Sequence, residues 1–102
     1  MSYIDELRSV IKRLRGVESR HVESVPVKEA NQGVTVWEGV VEVFDLIGHP
    51  TATRVYAWSH ATDDPKNPQR HVTVLHCHPI TSARDAVRAV IVQDFRNAEL
   101  ET

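Results

Sequence analysis

Cysteine is nearly absent. The single thiol, Cys77, rules out an internal disulfide and a zinc site built from four cysteines. No apolar run approaches the ~20 residues that cross a bilayer, and the opening "MSYIDELRSV" carries acids where a signal peptide would carry an apolar stretch. Neither sign of charge dominates: twelve basic and fourteen acidic residues leave a net charge of −2, so no overall field draws the chain to nucleic acid or to an anionic membrane. Internal repeats, low-complexity segments, the G-x-S-x-G of a nucleophile elbow and a glycine-rich phosphate loop are missing too. These absences describe a cytoplasmic protein without a cofactor and without a catalytic residue that the sequence can name.

What is present is ordinary core material. Apolar residues make up 41% of the 102, too many for a disordered chain. A chain this size buries roughly 60–70% of its unfolded surface, enough for one domain over residues 1–102.

Ser2 and Asp5 form a capping-box pattern, and Ile4, Leu7, Ile11 and Leu14 follow at three- and four-residue steps, one stripe of a first helix. Arg8, Lys12, Arg13 and Arg15 sit off that stripe and read as a solvated helix end, with Gly16 at the left-handed C′ position. Pro26 restricts the valines of residues 22–29 to a short edge strand, and "ANQG" closes it as a turn. "VTVWEGVVEVF", "TATRVYAWSH" and "RHVTVLHCH" read as strands rich in β-branched and aromatic residues. Pairing Leu46 with Thr51 sets Val43 opposite Arg54, Val41 opposite Tyr56 and Gly39 under the ring of Trp58. Across the polar "ATDDPKNPQ" loop, Val72 then lies beside Trp58 and Val74 beside Tyr56. This register gathers Trp37, Val41, Val43, Tyr56, Trp58, Val72 and Val74 on one face. Pro79 ends the last strand. Ser82 and Asp85 cap a second helix with Ala83, Ala86, Val87, Val90 and Ile91 inward. The expected fold is α+β, ordered α–(β)–β–β–β–α, an antiparallel meander with both helices on the tryptophan face.

The opposite face carries Glu38, Val40, Glu42, Phe44, Thr53, Val55, Ala57, Ser59, His71, Thr73, Leu75 and Cys77, half of them apolar. Left bare, such a face marks an interface, which predicts a homodimer built sheet against sheet or through an edge strand. Cys77 reads there as a small packing residue.

One polar corner stands out. On a strand, His76 and His78 share a face about 6–7 Å apart at Cα, and the register brings Asp45, His49 and Arg54 to the same end. Asp45, His49, His76 and His78 have the chemistry of a metal ligand set, but the fixed charge of Arg54 beside His76 works against a cation. The same corner suits a small anion instead. The second helix starts at Thr81 to Arg84 with free backbone N–H groups, and Arg54, Arg84 and a protonated histidine add charge. The candidate ligand-binding residues are therefore Asp45, His49, Arg54, His76, His78 and Arg84, with no metal. The bland alternative is a polar rim in which Asp45 pairs with Arg54 and the histidines bond loop carbonyls.

"VWEGVVEVFDLIGHPTATRVYAWSH", residues 36–60, resembles a set of small uncharacterised bacterial α+β proteins of the kind carried as hypothetical reading frames or mobile integron-cassette products. That resemblance implies a compact α+β protein and carries no catalytic residue. The element order is also similar to a double-stranded RNA-binding domain. Those domains place lysines at the start of the last helix, where this chain has Arg84, Asp85 and Arg88, and its acidic "ATDDPKNPQ" loop argues against nucleic acid. The leading expectation is a non-enzymatic, self-associating binding module. A ligand-binding protein or enzyme using the Asp45/Arg54/His76/His78 corner is the alternative.

Overall fold

Ser2 opens helix α1 (Tyr3–Arg15) by accepting the N–H of Asp5 on its hydroxyl at 3.2 Å, and Gly16 closes it at φ 75° with its N–H on the carbonyl of Lys12. Four strands follow in the computed structural model: β1 (Glu18–Asn31), β2 (Val34–Ile47), β3 (Arg54–Ala61) and β4 (Gln69–Leu75), then helix α2 (Ala83–Glu101). Residues 2–61, 65, 66 and 68–101 are described; residues 62–64 and 67 of the "ATDDPKNPQ" loop lie outside them. The sheet is an antiparallel meander in the order β1-β2-β3-β4, so the α+β class and the element order are as the sequence implies.

The first strand is far longer than residues 22–29. It runs over 14 residues and takes in Pro26, which an outer strand tolerates because its missing N–H leaves no central ladder incomplete. Gln32 and Gly33, both at positive φ (54° and 79°), make a two-residue turn into β2 whose backbone twist matches the paired strands. The ladder between them is interrupted between His21 and Glu23 and again between Glu29 and Ala30, leaving Val22 and Val36 as the extra residues.

β3 and β4 pair as expected, Tyr56 with Val74 and Trp58 with Val72. β2 and β3 do not: Val43 faces Tyr56 and Asp45 faces Arg54, two residues away from the expected alignment. The connection after Ile47 is longer than a tight turn, and Leu46 donates to the carbonyl of Thr53 at 2.9 Å rather than meeting Thr51. A two-residue slip leaves every side chain on its face, which is why the tryptophan cluster survives it. Gly39 is indeed covered by a ring, but by Trp37 of its own strand: a Cβ there would sit 3.0 Å from two atoms of that indole. Across β1 its partner is Val27.

The two helices do not share a face. Ala83, Ala86 and Val87 of α2 pack with Val27, Val41, Val43, Tyr56 and Trp58, and Trp37, Val72, Val74, Val90 and Ile91 join them. Leu7 and Ile11 of α1 pack with Phe44, Leu46, Ala52, Val55 and Ala57 on the other side. The sheet is thus the middle layer of three. The physical reason lies in β2 and β3 themselves, whose alternate positions are apolar on both faces, so each face recruits a helix. The buried stripe of α1 keeps Leu7 and Ile11 but takes in Val10 in place of Leu14. Val10 is buried, whereas Leu14 is 53% exposed.

Coverage by α1 ends partway along the sheet. Thirteen residues of helix reach about 20 Å, while the 14-residue strands β1 and β2 belong to a molecule 40 Å long. The half of the β1–β2 ribbon nearest the Gln32–Gly33 turn projects past α1 and past the β2–β3 ladder, which stops at Glu42 and Ala57.

Candidate functional site

The expected corner is partly assembled and mostly self-satisfied. Asp45 and Arg54 are direct cross-strand partners, and Arg54 donates from Nε and Nη2 to one carboxylate oxygen, each at 3.3 Å. Arg20, the β1 neighbour of Asp45, donates to the second oxygen at 3.1 Å. That hydrogen bond from Arg20, with help from Arg54, holds the half-buried Asp45 carboxyl below the usual aspartate range. Arg54 is therefore committed to a carboxylate.

His76 continues the row, its N–H on the carbonyl of Arg54 at 2.9 Å. Its Nδ1 shares a 2.6 Å hydrogen bond with the hydroxyl of Tyr56. Burial pushes the Tyr56 phenol above its ordinary value; Asp85 and Glu23 add to the rise and Arg54 opposes it. The phenol thus stays a neutral hydrogen-bonding group beside the imidazole.

His49 turns inward on its own loop. Its Nδ1 accepts the N–H groups of Thr51 and Ala52 at 3.2 and 3.0 Å, which closes the "GHP" turn and leaves that nitrogen with no capacity for a metal. β4 stops at Leu75, so His76, Cys77 and His78 are not on a strand; Cys77 instead bridges Ile80 in a turn containing the cis His78–Pro79 peptide. The two imidazoles therefore lack the same-face placement that the H-x-H spacing implied. Cys77 is an exposed free thiol, not a packing residue. Among the described residues no three histidine, cysteine, aspartate or glutamate side chains gather as a metal site.

Arg84 is drawn to another partner. Glu29, buried on β1, takes Arg88 at 3.1 Å and Arg84 at 3.7 Å, so the arginines at the start of α2 serve an internal carboxylate. At the helix start Ser82 accepts the N–H of Asp85 at 3.1 Å, and Asp85 reaches back to the N–H and hydroxyl of Thr81, both at 3.2 Å. Those bonds, the backbone one first, lower the Asp85 carboxyl. The negative charge at the helix N-terminus is thus supplied by the chain itself.

Two polar groupings escape the sequence. Glu42 is buried in the run "VVEVF" and accepts on one oxygen from His21 Nε2 at 2.9 Å and from the Ser24 hydroxyl. These are the residue types of a hydrolytic triad in an order that cannot activate a nucleophile, because the hydroxyl and the imidazole both donate to the carboxylate and no base faces the hydroxyl. The acid inside an apolar strand was the available signal. The other grouping joins Arg15 at the end of α1 to Thr73 on β4, 58 residues away, with Nε on the threonine hydroxyl at 3.1 Å and Nη2 on its carbonyl at 2.8 Å. No sequence signal marks it.

Fold and site together define a three-layer α+β protein with an antiparallel meander as its middle layer and a self-paired polar rim. No protein-family model, curated protein or solved structure matches the chain. Among the described residues no helix is long and apolar enough to cross a membrane.

Proposed function

We propose that the protein is a binding module that associates with a second copy of itself through the uncovered half of the β1–β2 ribbon. The sheet-on-sheet form of that idea has lost its ground, since α1 covers Phe44, Val55 and Ala57 completely. The support moves to the part of the same face that α1 does not reach. Val40 is 48% exposed there beside the exposed Pro26, its partner on β1; past the irregularity at Val36, Val34 pairs with Asn31 and turns to the other face. An isolated exposed valine needs no explanation; a valine and a proline paired on a bare stretch of sheet face suit an interface.

The occupant follows from charge. Beside Val40 lies one ion pair, Lys28 with Glu38 at 4.0 Å. A patch with one cation and one anion beside apolar residues is self-complementary: a two-fold sets Lys28 of each copy near Glu38 of the other and stacks valine on valine. Backbone direction adds to this. Leu46 donates to Thr53, so even-numbered residues of β2 direct their N–H and C=O towards β3. At Glu38 and Val40 the ladder to β3 has ended. The other outer edge is guarded by Pro26 and by the irregularity at Val22.

Light scattering tests the proposal. At about 100 μM, where a micromolar interface is filled, the protein should scatter as twice the 11.5 kDa chain mass. Val40→Lys should return it to one chain mass with its melting profile kept. A wild-type monomer at that concentration, or a dimer indifferent to Val40→Lys, overturns it.

A further inference from the structure

We propose that the cleft beyond the free edge of β4 binds a carboxylate carried on an apolar body. The cleft has a volume of about 400 Å³ and is lined by Leu14 and Arg15 of α1, His71, Val72 and Thr73 of β4, and Val90 of α2. That volume falls within the ~300–1,000 Å³ of small-molecule sites. It exists because α1 and α2 lie on opposite faces of the sheet and both overhang its last strand. Leu14, Val72 and Val90 supply apolar wall, and Leu14 is the residue of the α1 stripe that the core leaves 53% exposed.

Arg15 and Arg70 both line the cleft, and Arg15 is the one held against Thr73. Its guanidinium is fixed by two hydrogen bonds to Thr73, at 3.1 and 2.8 Å, which use two of its five N–H groups. Arg15 faces no carboxylate among the described residues, although Lys12 one turn earlier is paired with Glu18 at 2.6 Å. A half-buried, immobilised guanidinium with donors to spare is pre-organised for a carboxylate. Exposed Arg13 in the same turn offsets the carbonyl end of α1. His71 does not compete for the anion, being taken by Glu6 at 3.0 Å.

The strand edge adds backbone donors. His76 donates to Arg54, so the bonded pairs along β3 and β4 are at residues 76, 74 and 72. Residues 73 and 71 therefore turn both backbone groups outward, consistent with Arg15 reaching the Thr73 carbonyl. The Thr73 N–H lies on that same side and offers a second donor to a carboxylate held by Arg15. A free organic acid and the C-terminus of an apolar peptide present the same chemistry.

Amide correlation spectra of the whole chain test this with 4-phenylbutyrate as probe and 4-phenylbutanol as its uncharged control. The acid should shift Val72, Thr73 and Val90 saturably, with the alcohol at least about tenfold weaker, equivalent to ~1.4 kcal/mol. Arg15→Gln and the exposed-site variant Leu14→Glu should each lose about tenfold, with folding checked by far-ultraviolet dichroism. The tripeptide Ala-Val-Leu as free acid and as amide separates the sources: binding by the acid peptide alone assigns a peptide terminus, binding by phenylbutyrate alone a small acid. If neither acid saturates these shifts by about 10 mM, if acid and alcohol bind alike, or if Leu14→Glu binds as wild type, the site is refuted.

Discussion

Asp45 and Arg54 stand directly opposite one another on β2 and β3, 3.3 Å apart at their charged atoms, and Arg20 on β1 closes the row from the other side. One carboxylate thus joins three strands at the open end of the sheet. Its hydrogen bonds hold its pKa below the ordinary value, so the carboxylate stabilises the fold fully above the unfolded-state pKa, near 3.9. That contribution fades as pH falls from there through the depressed folded value. Thermal melts across the acid range should show this loss, and Asp45→Asn should melt lower at neutral pH with a flatter acid limb. An unchanged limb in the variant would assign acid sensitivity elsewhere, Asp85 and Glu18 being the other carboxylates held low.

Glu29 and its two arginines make an unequal set. The carboxylate is buried, while Arg84 and Arg88 are about half exposed and can return to water. Glu29→Gln keeps a hydrogen-bonding amide in place of the carboxylate and should cost about 1.5 kcal/mol, the low end for a hydrogen bond to a charged group. The double variant Arg84→Ala/Arg88→Ala strands the buried charge and should cost more, about 3 kcal/mol. Urea unfolding of the three proteins gives the order directly, and equal costs would contradict it.

Gly39 has no room for a side chain. A methyl there meets the Trp37 indole at 3.0 Å, and that ring packs edge-on against Trp58 and stacks on His60. Gly39→Ala should destabilise by about 1–3 kcal/mol, the usual cost of overfilling a packed site. Because the displaced ring is a tryptophan, the intrinsic fluorescence of the folded variant should also differ from wild type; unchanged emission with unchanged stability would show the ring is free to move.

Ser19 offers a gain. It is 3% exposed, and its hydroxyl has no hydrogen-bond partner among the described residues. Ser19→Ala removes the unmet group at almost no cost in volume and should stabilise by up to about 1 kcal/mol, a rise of roughly 4–8 °C in Tm for a domain near this size. A fall in Tm on differential scanning calorimetry would mean the hydroxyl is satisfied in solution.

The legible parts of this protein were local or periodic. The Ser2 and Ser82 caps and Gly16 act within one turn, and the aromatic-rich alternation of β3 and β4 puts Trp58, Tyr56, Val72 and Val74 on one face. The candidate site was less legible. Asp45 and Arg54 do meet, but His49 spends its ring on its own turn, Arg84 goes to Glu29 and "HCH" leaves the sheet. Each departure came from a competing partner distant in the chain or from a turn whose direction residue types do not encode.

The sequence by itself determined the α+β class, the order of elements and which core side chains of β2, β3 and β4 share a face, because these depend on caps, turns and a period of two. Tertiary structure alone decided which face each helix covers. Both faces of β2 and β3 carry apolar residues, and either would accept the α1 stripe until the short connections to β1 and the demand to bury Phe44, Val55 and Ala57 place it opposite α2. The cleft at β4 and the bare end of the β1–β2 ribbon are consequences of that placement: the cleft lies between helices on opposite faces, and the ribbon end is what the shorter α1 leaves uncovered on its face.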